Sequence, residues 1–168
     1  MAPFRNILVA TDFGPTSEQA VELAADLATI FDAKLSVMHA YAIAVPIYPI
    51  ALTVDVDGVA EAAKEAMDKA IGGLRLRCPG VRGVVRHGDA AHEILEEAES
   101  CNADLIVVGT HGHRGLSRVL LGSVAEKVVR LSTIPVLCVR ARTLEGAELL
   151  PGKVDYDEDE MVPGAALA

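Results

Sequence analysis

Five short runs of apolar, largely β-branched residues recur along this chain, and each successive pair is separated by a stretch with helical spacing. The runs are "NILVAT" (6–11), "KLSVMHA" (34–40), "VRGVVRHG" (81–88), "ADLIVVG" (103–109) and "PVLCVR" (135–140). Continuous apolar runs belong to strands covered on both faces. Strands that alternate with helices return the chain to the same sheet edge each time, which makes neighbouring strands parallel. The expected fold is therefore α/β: a five-stranded parallel sheet with helices on both faces.

The intervening helices carry their own signals. Thr16 stands three residues before Gln19, a capping-box pattern, and Ala20, Leu23, Ala24, Leu27 and Phe31 follow at helical spacing. A second helix is expected over 57–77, and a third from Asp89, as N-cap, to Cys101. A fourth runs from Ser123 to about Leu131, opened by "SVAE", in which Glu126 answers Ser123. "YAIAVPIYPIALT" holds two prolines and no period, and reads as a loop. Pro135 suits the first residue of an edge strand.

Half of the 168 residues are apolar, enough for a sizeable core, but tryptophan is absent and aromatics are scarce. Alanine, valine and leucine must build the interior. The formal charge of −9 argues against generic nucleic-acid binding. From Thr143 onward seven acids face a single base, Lys153, so this tail holds −6 of the total. The expected organisation is a folded unit over 1–142 and an acidic extension over 143–168 without stable structure of its own. Cys78, Cys101 and Cys138 are isolated, with no C-x-x-C, and fit reduced thiols in a cytoplasmic protein. The amino-terminal stretch has no signal-type cleavage site, and no apolar stretch is long enough to span a bilayer.

The stretch that points to function is "GTHGHRGLSRVLLGS", Gly109 to Ser123. It lies between the fourth strand and the last helix, at the carboxyl edge of the sheet, where open parallel sheets bind ligands. Gly109 and Gly112 are expected to allow positive-φ turns and to admit a phosphate to the backbone amides. Gly122 and Ser123 begin a helix, whose free N–H groups and dipole attract anions. No lysine occurs in this stretch, so it is not a Walker A loop, and G-x-G-x-x-G is absent. The plainer alternative is that glycines after strands and serines before helices only turn the chain.

These residues resemble the nucleotide-binding signature of the universal stress proteins: G-x-x-G, nine residues, then G-[ST], here Gly109, Gly112, Gly122 and Ser123. "ILVATDFG", "LSVMHA", "HGDAAHEILEEAE" and "LLGSVAEKVVRLSTIPVLCVR" look like other segments of that family, so the resemblance covers roughly residues 4–140. It implies the strand order 3-2-1-4-5, which sets the loops after strands one and four side by side and brings Asp12 to Gly109. It also implies ATP, with Mg²⁺ or Mn²⁺, as the ligand, with Thr11, Asp12, Ala40, Gly109, Gly112, Gly122 and Ser123 around it. Asp12 is expected near the ribose or a phosphate-bound cation, and His111 near phosphate; His113, Arg114 and Arg118 are weaker candidates for the same phosphates. The chain departs from the family in having Ala10 where a proline is usual, in the loop histidines, and in the acidic tail.

Other candidate sets fall short. His87, Asp89, His92 and Glu93 mix a strand end with a helix and give no i, i+4 ligand pair. No Ser-His-Asp order or carboxylate pair marks a catalytic centre. The function expected is that of a nucleotide-dependent regulatory module. The alternatives are a slow ATPase or phosphotransfer enzyme and a binder of AMP or another adenylated ligand. "PVLCVR", too apolar to face water at a sheet edge, is expected to form a homodimer through Val136–Val139, unless "LEGAELL" (144–150) folds back over it.

Overall fold

In a computed structural model of the chain, which describes residues 4–42, 56–110 and 121–140, all five expected strands and all four helices are present. The strands are β1 (Asn6–Ala10), β2 (Lys34–Tyr41), β3 (Arg82–His87), β4 (Leu105–Gly109) and β5 (Val136–Val139). The helices are α1 (Pro15–Phe31), α2 (Val56–Gly72), α3 (Ala90–Ser100) and α4 (Ser123–Leu131). The sheet is wholly parallel, in the order β3-β2-β1-β4-β5. Leu8 of β1 stands opposite Ser36 of β2 and Ile106 of β4. The acidic extension and the loop histidines lie outside the described residues.

Side-chain alternation along each strand divides the interior in two. Ile7, Val9, Leu35 and Val37 face α1 and α2, and Leu8, Met38 and Ile106 face α3 and α4. Small residues let α1 lie close on the sheet: Ala20, Ala24, Ala25 and Ala28 make up most of its buried side. The shortage of aromatics in the composition is thus met by close backbone approach.

Two helix starts differ from expectation. The N-cap of α1 is Gly14, and Pro15 takes the first helical position, so Thr16 lies inside the helix and the Thr16–Gln19 box is not its cap. Proline suits that position because its missing N–H has no intrahelical partner there. The N-cap of α4 is Gly122, not Ser123, with no side-chain cap. The reason is tertiary: the Gly122 N–H donates to the Thr110 carbonyl (2.6 Å) and residue 122 is extended, so Ser123 is already helical and the cap falls one residue before it. Asp89 does cap α3, accepting from the His92 N–H (3.1 Å). That bond, followed by Lys127, holds the Asp89 carboxyl below its ordinary range. The helix expected over 57–77 ends at Gly72; Gly73, still in right-handed helical geometry, leads into a single 3-10 turn, Leu74–Leu76.

A buried charge sits in the α3 layer. Glu97 is 2% exposed and accepts ion pairs from Arg82 and Arg86, one on each carboxylate oxygen. The two arginines lie four residues apart on β3 and so share one face of this edge strand, while Glu97 sits one turn beyond Ile94 on the inner side of α3. The double pairing satisfies a carboxylate that would otherwise be costly to bury.

Candidate functional site

The carboxyl ends of β1 and β4 adjoin in this strand order, at the point where the chain's progression across the sheet reverses. The loop after β1 is built by short-range hydrogen bonds. Ser17, buried in the first turn of α1, approaches Asp12 Oδ1 at 2.5 Å, and the Gly14 N–H donates to the same oxygen at 3.0 Å. The Thr11 hydroxyl accepts from the Phe13 N–H (3.0 Å) and lies 3.1 Å from Ser17 Oγ. Phe13 adopts φ +61°, a left-handed conformation costly for a bulky residue, and these bonds hold it there. Its ring packs on His39 with centroids 4.4 Å apart, and His39 Nδ1 meets the Thr11 carbonyl at 2.8 Å. The loop is therefore pinned from α1 on one side and β2 on the other.

Gly109 connects this loop to β4. A Cβ on Gly109 would lie 3.1 Å from Thr16 Cγ2 and 3.4 Å from the Ser17 backbone nitrogen. The glycine lets α1 begin directly against the end of β4. This corrects one expectation: Gly109 is a strand residue paired with Val139 and has no positive φ, so helix packing and not a tight turn accounts for it. Thr110 follows, buried, with its N–H on the Val139 carbonyl (2.8 Å) and its own carbonyl holding Gly122. Gly122 has φ −68° and ψ 156°, a conformation open to every L-residue. Its dihedrals give no reason for glycine there.

Of the residues anticipated from sequence, Thr11, Asp12, Gly109, Gly122 and Ser123 gather at this edge, and Ala40 lies near the end of β2, opposite Arg86. His111 and Gly112 lie outside the described residues. Ser17, Phe13, His39 and Thr110 were not anticipated as part of the site. Phe13 and His39 carry no local signal, since their roles arise from tertiary contact. His87 ends β3 and His92 lies on α3 beside Glu93 and Glu96, both at 3.8 Å. Among the described residues no three His, Cys, Asp or Glu side chains are grouped to hold a metal ion. Burial pushes the Cys101 and Cys138 thiols up, which keeps them protonated and poorly nucleophilic.

The sequence model of the universal stress protein family matches residues 3–140. The chain belongs to this family. It is 34% identical over 141 residues to universal stress protein A homolog 1 of Coxiella burnetii, covering 81% of this chain and 96% of that protein. Among solved structures of the family, UspA from Lactobacillus plantarum superposes with a TM-score of 0.72 at 26% identity, covering 81% of this chain and 97% of the other. A universal stress protein solved in complex with cAMP superposes with a TM-score of 0.63 at 27% identity, covering 82% and 97%. No described helix is long and apolar enough to cross a membrane.

Proposed function

We propose that the chain is an ATP-binding member of the family, holding the nucleotide at the carboxyl ends of β1 and β4 and acting as a nucleotide-dependent regulatory module. The observation that carries this reading is the start of α4. There Gly122, tied to Thr110 at the switch point and free of any dihedral demand for glycine, leads into a helix without a side-chain cap. The first N–H groups of a helix have no intrahelical partner and suit a phosphate, and the absence of a Cβ at 122 suits its close approach. The complete G-x-x-G-(nine)-G-S spacing and the cAMP-bound relative support an adenine nucleotide. Thr11, Asp12, Ala40, Gly109, His111, Gly112, Gly122 and Ser123 are the proposed contacts.

The residues fit the group. Asp12 is held by Ser17 and Gly14, which fixes its carboxylate at the edge where a ribose or a phosphate-bound Mg²⁺ or Mn²⁺ would meet it. Mass spectrometry of nucleotide released from the purified protein tests the reading without presupposing the ligand. ATP is expected; AMP or another adenylate points to the alternative ligand class, and no nucleotide together with no ATP binding in calorimetry refutes the site.

Turnover is expected to be very slow or absent without a partner. The reading rests on the sequence, which has no Walker-type lysine in 109–123 and no recognisable catalytic set to promote phosphoryl transfer. Well-evolved enzymes turn over about 1 to 1,000 times per second. A rate in that range from the pure protein, lost in Asp12→Ala, establishes an enzyme instead.

The proposal extends to a homodimer through β5. The two sheet edges differ in chemistry: β3 presents Arg82, Arg86 and His87, whereas Val136, Leu137, Cys138 and Val139 of β5 carry no charge and are all partly exposed. Open edges template pairing, and charged residues discourage it. The full chain is expected to sediment as a dimer, and deletion of residues after Arg142 to leave that dimer intact. A monomer that aggregates once the tail is removed would assign the edge to "LEGAELL" instead.

A further inference from the structure

A groove of about 410 Å³ runs between α3 and α4 on the outer side of that helix layer. Its floor is apolar, formed by Ala91, Leu95 and Leu131, the last of which is 59% exposed. Its two walls carry opposite charge. On α3, His92, Glu96 and Glu99 stand at i, i+4 and i+7 and form one stripe, and on α4 Lys127 and Arg130 stand one turn apart. Internal pairing uses only part of this charge. Lys127 meets Asp89 at 3.4 Å and His92 lies 3.8 Å from Glu96, but Glu99 and Arg130 have no ion-pair partner among the described residues.

We propose that this face binds a second copy of the chain, related by a two-fold axis along the groove. Such an axis exchanges left and right while preserving height along the groove. It therefore sets the acidic stripe of each copy on the basic stripe of the other and brings Leu131 of one over Leu95 of its mate. An isologous contact requires one patch to carry both signs side by side, which this patch does. A partner of a single sign, including the acidic stretch at 155–160, would be repelled by one wall. The contact is separate from β5, the edge strand, and does not depend on the nucleotide reading. If β5 dimers form, it pairs them into larger assemblies. With a small apolar floor and exposed charges, it is a weak, salt-sensitive interface of the transient kind.

Sedimentation velocity on the full chain, from micromolar to sub-millimolar concentration, tests this. The mass is expected to rise toward twice its dilute value at about 50 mM salt and much less at about 500 mM. Arg130→Glu and Glu99→Lys, which disturb no ion pair among the described residues, are each expected to weaken this step at least about tenfold, because two-fold symmetry makes every substitution act twice. An equimolar mixture of the two variants is expected to regain much of the association, since the reversed charges then meet their opposites. Circular dichroism identifies any variant that fails to fold, and Arg130→Gln with Glu99→Gln then gives the same comparison without charge reversal. A concentration-independent mass, reversals without effect, or a mixture no better than either variant alone overturns the proposal.

Discussion

Gly122→Val is expected to lower ATP affinity at least about a hundredfold, equivalent to about 2.8 kcal/mol, while leaving the fold intact. The two effects separate because of how residue 122 is held. Its dihedrals, φ −68° and ψ 156°, are as accessible to valine as to glycine, and its N–H bond to the Thr110 carbonyl involves no side chain. The structural cost expected at the cap is about 1 kcal/mol. The functional cost is steric: the proposed phosphate approach to the first turn of α4 is filled by two methyl groups, which cannot be moved without moving the helix. Calorimetry with ATP and a thermal melt on the same sample give both readouts. A folded Gly122→Val protein with unchanged affinity would remove the phosphates from this helix start.

The fold is legible in the sequence wherever a signal is carried by periodicity. Runs such as "LIVVG" are apolar on both faces because helices cover both faces, and nothing distant is needed to read that. Helix starts are less legible, because the backbone that precedes a cap is held by residues far along the chain. Thr110 is twelve residues from Gly122 and moves the α4 cap by one position. At α1 the hydroxyl of Ser17 turns back to Asp12 while Pro15 begins the helix, so the Thr16–Gln19 pattern has no cap to make. Gly109 shows a different limit: a glycine at the carboxyl edge of a parallel sheet looks the same in sequence whether it admits a phosphate or a helix, and here its missing Cβ faces Thr16 and Ser17. Glu97 shows a third, since among the glutamates of "EILEEAES" only the packing against β3 identifies the one clamped by Arg82 and Arg86.

Leu8→Ala is expected to be the most destabilising simple truncation, costing about 3 to 4 kcal/mol. Leu8 is 0% exposed at the middle of the central strand, between Ser36 and Ile106 in register, and its side chain belongs to the cluster roofed by α3 and α4. Removal of three carbons loses their transfer free energy and leaves a void as well. Relaxation is limited, because β1 is held by hydrogen bonds from both neighbours and the α3–α4 layer over it, which includes Ala91, Ile94, Ala98, Ala125 and Val128, is already closely packed. The larger neighbours, Ile94, Ile106, Val128 and Met38, are themselves buried in the same cluster, so they cannot fill the void without opening space elsewhere. Against a total stability of roughly 5 to 15 kcal/mol, such a loss removes a large fraction, and at about 2 to 4 °C per kcal/mol it lowers the melting temperature by about 10 °C. Ile30→Ala is the matched control: a side chain of similar size, 71% exposed on α1, whose loss is expected to change stability by less than about 0.5 kcal/mol. Urea denaturation of both variants measures the difference directly. A Leu8→Ala cost below about 1 kcal/mol would mean that the α3–α4 layer settles onto the sheet when the side chain is removed, and that the close packing assigned to this half of the core is not rigid.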